Sequence, residues 1–188
     1  MNKLITKCLL MLNILISFKV IKIHDYLSNY EYISGKILDD NKWYIPYLFL
    51  PFLYRINFYS LFITYQTSIL LERYFGFYLY LFILFYSFTF TNLIFYITSL
   101  LISDFLEISD IYYYRHTGFF PILFCLRSIY LNLLNREIKV FGKIIHSKNC
   151  IFLEIFMYFL LNPSYEILYC LSGSFTGMLV LKFINNNI

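Results

Sequence analysis

Gly118-Phe119-Phe120-Pro121-Ile122-Leu123-Phe124-Cys125-Leu126-Arg127 and, near the end of the chain, Cys170-Leu171-Ser172-Gly173-Ser174-Phe175-Thr176-Gly177 are the stretches that decide the fold. Both lie in apolar surroundings. The second sets Gly173 and Gly177 one helical turn apart and adds Ser172, Ser174 and Thr176 around them. Glycines so spaced let two helix backbones approach closely, which drives packing in lipid. By itself the pattern serves many helix contacts, dimerisation included. What gives it direction is the company it keeps along the chain.

The chain has 188 residues, 60% of them hydrophobic and 14% charged, with a mean hydropathy of +0.66. Soluble domains carry about 25% charged residues. The deficit, with several apolar runs of about 20 residues, points to helices that cross a bilayer. Six such helices with short connections fill the length and leave no space for a soluble domain. The class is therefore all-α: a polytopic membrane protein, one domain over residues 1–188. The 20 Tyr and 22 Phe, and the lack of any alanine, match the codon bias of an AT-rich genome. The Tyr112-Tyr113-Tyr114 cluster then reads as an interfacial anchor and not a ligand cage.

Helices are expected over about 4–23, 47–71, 75–102, 118–134, 150–161 and 165–183. The first carries Lys7, Lys19 and Lys22, and no small-residue cleavage site follows it, so it reads as a retained helix and not a signal peptide. Between the first two helices lies a polar loop, and between the third and fourth an acidic connection with Asp104, Glu107 and Asp110. A basic loop at 136–148, with Arg136, Lys139, Lys143 and Lys148, precedes the fifth. With a cytosolic amino terminus, the basic residues fall on the cytosolic side and the acidic connection opposite, as the positive-inside bias requires. Both termini are then cytosolic, consistent with an even number of crossings.

The net charge of +4 is modest and dispersed, which argues against nucleic acid as a partner. Cys8, Cys125, Cys150 and Cys170 form no C-x-x-C pair and read as free thiols, with no metal site and no cofactor. Proline in Asn162-Pro163-Ser164 excludes it as a glycosylation acceptor.

Taken in order, from about Trp43 to Phe183, these segments resemble the rhomboid family of intramembrane serine proteases, most closely its ER-type branch. Leu71-Glu72-Arg73-Tyr74-Phe75-Gly76 resembles that branch's Leu-Glu-Arg-x-x-Gly block after the second helix. Gly118 to Arg127 resembles its G-F-S-G-V-L-F-A-L-K segment, and Glu154 and Asn162-Pro163 fall where it has an acidic residue and a proline. In the family a GxSG turn carries the nucleophilic serine and a His-x-x-Gly-x-x-x-Gly helix the base. Here the serine position is Phe120 and the histidine position Cys170, so the resemblance implies the scaffold with its catalytic dyad missing.

Chemistry agrees with that implication. A serine hydroxyl needs a neighbouring imidazole to take its proton, and Phe120 has no nucleophilic atom. A buried thiol among apolar groups is inert, and Cys170 has no histidine on its own helix. His116, before the fourth helix, is the one histidine near the equivalent face. The oxyanion positions of the family, counted back from Leu71-Glu72, are Ile56 and Ser60. A shifted register brings in Asn57 as a donor. No catalytic position is intact.

Charges within apolar helices need an explanation, since they are expensive in lipid. Arg127 in the fourth helix and Glu154 in the fifth are candidates for an interhelical pair. Alternatively, Arg127 snorkels to the cytosolic side and Glu154 bonds backbone or hydroxyl groups. Arg55 in the second helix has no assigned partner.

The family reading implies a catalytically inactive pseudoprotease. It would bind transmembrane clients through a lateral opening between helices, in membrane-protein quality control or trafficking in the endoplasmic reticulum or secretory pathway. A cytosolic partner on the basic 136–148 loop would link it to later steps. One alternative is an active intramembrane serine endopeptidase with a non-standard site. A second is a structural subunit of a membrane complex, with Gly173 and Gly177 facing a partner.

Overall fold

The structure is a computed structural model of the full chain, and it describes residues 3–17, 58–107, 120–134, 136–140, 143–161 and 166–187. The described part is all-α apart from one small hairpin. Its helices are α1 (Leu4–Ser17), α2 (Phe58–Phe75), α3 (Phe77–Leu106), α4 (Phe120–Leu134), α5 (Cys150–Leu161) and α6 (Glu166–Asn187). Each falls within or beside a segment that apolar run length assigns to a helix. The polar loop at 24–45, the start of the expected second helix, the acidic connection beyond Glu107, Asn162-Pro163, Arg55, Ile56, Asn57 and His116 lie outside the described residues.

Two helices among the described residues are long and apolar enough to cross a membrane, Phe77–Leu106 and Glu166–Asn186. α4 is a shorter apolar helix. α3 is apolar around its whole circumference. It buries Tyr80, Ile83, Leu84 and Phe95, and on its other face exposes Tyr78, Phe82, Phe85 and Leu93. A helix of that kind is buried in a large core or spans a membrane.

Successive helices alternate in direction. The start of α1 meets the end of α2, where the amides of Ile5 and Thr6 reach Glu72. α2 passes into α3 through Gly76 alone, which holds φ +79° and ψ 175°. That backbone conformation is open to glycine and costly for other residues. α3 runs against α6: Tyr86 faces Phe183, while Phe95 packs on Tyr169 nine residues further along α3 and fourteen earlier on α6. α4 and α6 run parallel, with Gly173 against Pro121 and Gly177 against Cys125. α5 returns antiparallel to α4. As a result, the start of α1 and the end of α6 lie at one end of the bundle.

The same end carries a difference from the expected loop. Residues Glu137–Val140 and Lys143–His146 pair as antiparallel strands β1 and β2, with Glu137 opposite His146 and Val140 opposite Lys143. Their isoleucines and valine suit a pleated strand. Ile145 packs on the bundle while Ile144 is exposed. Ser147 fixes the base of the hairpin, donating from its hydroxyl to the Leu131 carbonyl at 2.8 Å and accepting from the Arg136 amide at 3.1 Å.

Candidate functional site around Phe120 and Cys170

The site is built on the contact between α4 and α6. At Gly173 a Cβ would fall onto the Pro121 carbonyl oxygen. At Gly177 it would fall onto the Cys125 carbonyl oxygen and within 2.9 Å of the Ser128 Cβ. Only glycine allows backbones this close, so the two residues set the register of α6 against α4. Small neighbours help: Ser172, Ser174 and Thr176 are buried, and the hydroxyls of Ser172 and Thr176 return to carbonyls one turn back.

That register brings Phe120 and Cys170 into one apolar cluster. Cys170 is fully buried with Phe124, Cys150, Ile151 and Ile155, and half-buried Phe120 packs against them. The Phe120 ring lies 4.6 Å from that of Tyr158 on α5, tilted by 40°, and Phe124 meets Tyr158 edge-on at 5.8 Å. The Tyr158 hydroxyl donates to Glu166 Oε2 at 2.8 Å. The floor between α4, α5 and α6 is therefore aromatic carbon, with one polar bond at its edge.

Such an arrangement offers apolar packing, with the Tyr158–Glu166 bond as its described polar contact. No histidine among the described residues approaches Cys170; His146 sits on β2 at the hairpin end of the bundle. Of the positions to which the resemblance assigns an oxyanion role, Ser60 falls in α2, while Ile56 and the alternative Asn57 lie outside the described residues. The four cysteines are free thiols, and among the described residues no three His, Cys, Asp or Glu side chains gather to hold a metal. The Cys125 thiol donates to the Ser87 hydroxyl at 3.1 Å and so ties α4 to α3.

The structure brings Arg127 and Glu154 together. Arg127 donates from Nε to both Glu154 oxygens at 3.1 and 3.0 Å, and from Nη2 to Oε1 at 2.8 Å. A planar guanidinium gripping a carboxylate with two nitrogens is among the strongest polar contacts available. The Arg127 guanidinium also lies 5.5 Å from the centre of the Tyr130 ring. The pair joins α4 to α5 and holds Tyr158 in reach of Phe120.

Two polar anchors went unread in the sequence. Glu72 is buried and caps the start of α1. Asn92, buried in the middle of α3, accepts a hydrogen bond from the Tyr169 hydroxyl on α6. An asparagine within so apolar a run is itself a signal, since a buried polar side chain needs a partner.

No protein-family model matches the chain, and no curated protein or solved structure matches it either.

Proposed function

We propose that the chain is a rhomboid-like integral membrane protein with six membrane-crossing helices and both termini cytosolic, lacking proteolytic activity. In this reading it binds transmembrane segments of client proteins in the endoplasmic reticulum or secretory pathway, for quality control or trafficking. One observation carries the proposal: the glycine-set contact of α4 and α6 places Phe120 and Cys170 in one cluster, filled by the Phe120 and Tyr158 rings. These are the two positions to which the resemblance assigns serine and histidine. The apolar outer face of α3 and the return of both ends of the described chain to one side of the bundle support the membrane arrangement.

Binding without cleavage follows chemically. Phe120 offers no nucleophile to a peptide carbonyl, while exposed apolar side chains such as Phe62 on α2 and Phe156 on α5 can contact another helix. The test reconstitutes the full chain in liposomes with a helix-destabilised transmembrane substrate and a photo-crosslinker at Phe62 or Phe156. Crosslinking without cleavage is the expected result. A Phe120→Ser/Cys170→His variant run alongside asks whether the scaffold still supports a dyad. Cleavage by the native chain, or no crosslink from either position, overturns the reading.

A further inference from the structure

A groove of about 490 Å³ opens between the carboxyl ends of α2 and α4. Among the described residues, its walls are Leu70, Leu71, Leu133 and Leu134, its rim carries Tyr74 and Tyr130, and Arg73 is the one charged residue lining it. The volume falls within the roughly 300–1,000 Å³ of sites that take small organic ligands. Leucine walls favour a hydrocarbon chain, and a single cation at the mouth favours an anion.

The surroundings repeat that sign. Arg136 is exposed two residues beyond Leu134, and exposed Lys139 and Lys148 follow on and beside the hairpin. The start of α1, with Lys3 and exposed Lys7, packs against the end of α2. Of the described carboxylates at this end, Glu72 is committed to the α1 amides and Glu137 is exposed on β1 opposite His146, outside the groove lining. No described carboxylate forms an ion pair with Arg73. Tyrosines beside such a boundary are the residues that sit at headgroup level.

We infer that this groove is a binding site for an anionic phospholipid, with an acyl chain along the four leucines and the phosphate at Arg73. The inference rests on the membrane reading above and not on the client reading. A soluble protein partner fits the charge and not the leucine walls, whereas a phospholipid satisfies both. Basic residues close to a membrane surface attract anionic lipid, and each contributes appreciably within a Debye length.

The experiment is native mass spectrometry of the full chain, released from non-ionic detergent with phosphatidylglycerol or phosphatidylcholine of identical acyl chains. Phosphatidylglycerol should be retained in preference. Arg73→Gln should lower its retention about fivefold, the effect of one basic residue beside anionic lipid, while Arg73→Lys keeps it. Leu133→Trp, which fills the groove, should remove both lipids. Millimolar inorganic phosphate should not displace phosphatidylglycerol, because the acyl chain carries part of the affinity. Equal retention of the two lipids, loss in Arg73→Lys equal to that in Arg73→Gln, or displacement by phosphate each overturns the site. Alkaline carbonate extraction of native membranes tests the underlying reading separately: release of the chain would sink the membrane assignment whatever lipid the purified protein holds.

Discussion

The Glu72 carboxylate, buried near the end of α2, caps the start of α1 by accepting from the amides of Ile5 at 3.3 Å and Thr6 at 3.1 Å and from the Thr6 hydroxyl. The first amides of a helix have no partner within it, and a negative group there also meets the positive end of the helix dipole. One side chain thus holds two helices in register. Glu72→Ala leaves these donors facing apolar neighbours, and the loss should be about 1–3 kcal/mol. Glu72→Gln keeps an acceptor and should lose less. Thermal melts in detergent rank the variants, and an Ala variant as stable as the parent would remove this role.

Gly173 and Gly76 are both required, for different reasons. A Cβ at Gly173 collides with backbone of α4, and no side-chain rotation relieves it. At Gly76 a Cβ meets nothing within 4 Å, and the obstacle is the positive φ alone. Gly173→Ala should therefore cost about 1–3 kcal/mol through overpacking, and Gly76→Ala a similar amount, about 1–3 kcal/mol, through backbone strain. Their structural signatures should differ. Parting α4 from α6 exposes Cys125 and Cys170, so maleimide should label these two thiols faster in Gly173→Ala than in the parent and leave them unchanged in Gly76→Ala, while exposed Cys8 reacts in all three. Equal labelling of both variants would refute the distinction.

Apolar run length and isolated charge made much of this fold legible. The fifth helix, expected over about 150–161, is found over Cys150–Leu161, because Asn162-Pro163 punctuates it in the sequence. The Arg127–Glu154 pair was open to inference since charges in apolar helices need partners. The hairpin is hidden in the sequence because Arg136, Lys139, Lys143 and Lys148 give the segment the look of a basic loop, while the Ile and Val between them carry the strand signal. In the sequence Glu72 reads as part of a block and not as a cap, since its partners lie 66 and 67 residues away. Distant pairing of that kind leaves no local pattern. At the candidate site, the sequence singles out Phe120 and Cys170, which the structure brings into one apolar cluster. It did not tell that Tyr158 from α5 covers Phe120, because that contact depends on how α5 folds back over α4.

Asn92 and Tyr169 form a polar bond inside the bundle, with the Tyr169 ring also packed on Phe95 at 4.6 Å. Interhelical hydrogen bonds in membranes are modest, averaging about 0.6 kcal/mol and reaching about 1.7 kcal/mol. Tyr169→Phe keeps the ring and removes the donor, so it should cost within that span. Asn92→Leu should cost a similar amount, and the double variant less than the sum of the two. Additive losses across the double-mutant cycle would show that the bond contributes nothing to stability.

Arg127 and Glu154 give the sharpest test of helix pairing, because charge can be exchanged between them without changing the number of ionised groups. Their side chains are 25% and 31% exposed, so solvent screens the pair and its worth lies below that of a fully buried bridge. Arg127→Glu sets two carboxylates face to face, and Glu154→Arg sets two guanidiniums. Each should destabilise by about 1–3 kcal/mol, since charged groups lose hydrogen bonds and gain a like-charged neighbour. The exchanged double variant restores attraction across α4 and α5, although the bidentate geometry and the approach of Arg127 to Tyr130 do not transfer with it. Its melting temperature should therefore return part of the way to the parent. A double variant no more stable than the weaker single variant would mean that each residue acts through separate contacts, and that α5 is held against α4 by its apolar face alone.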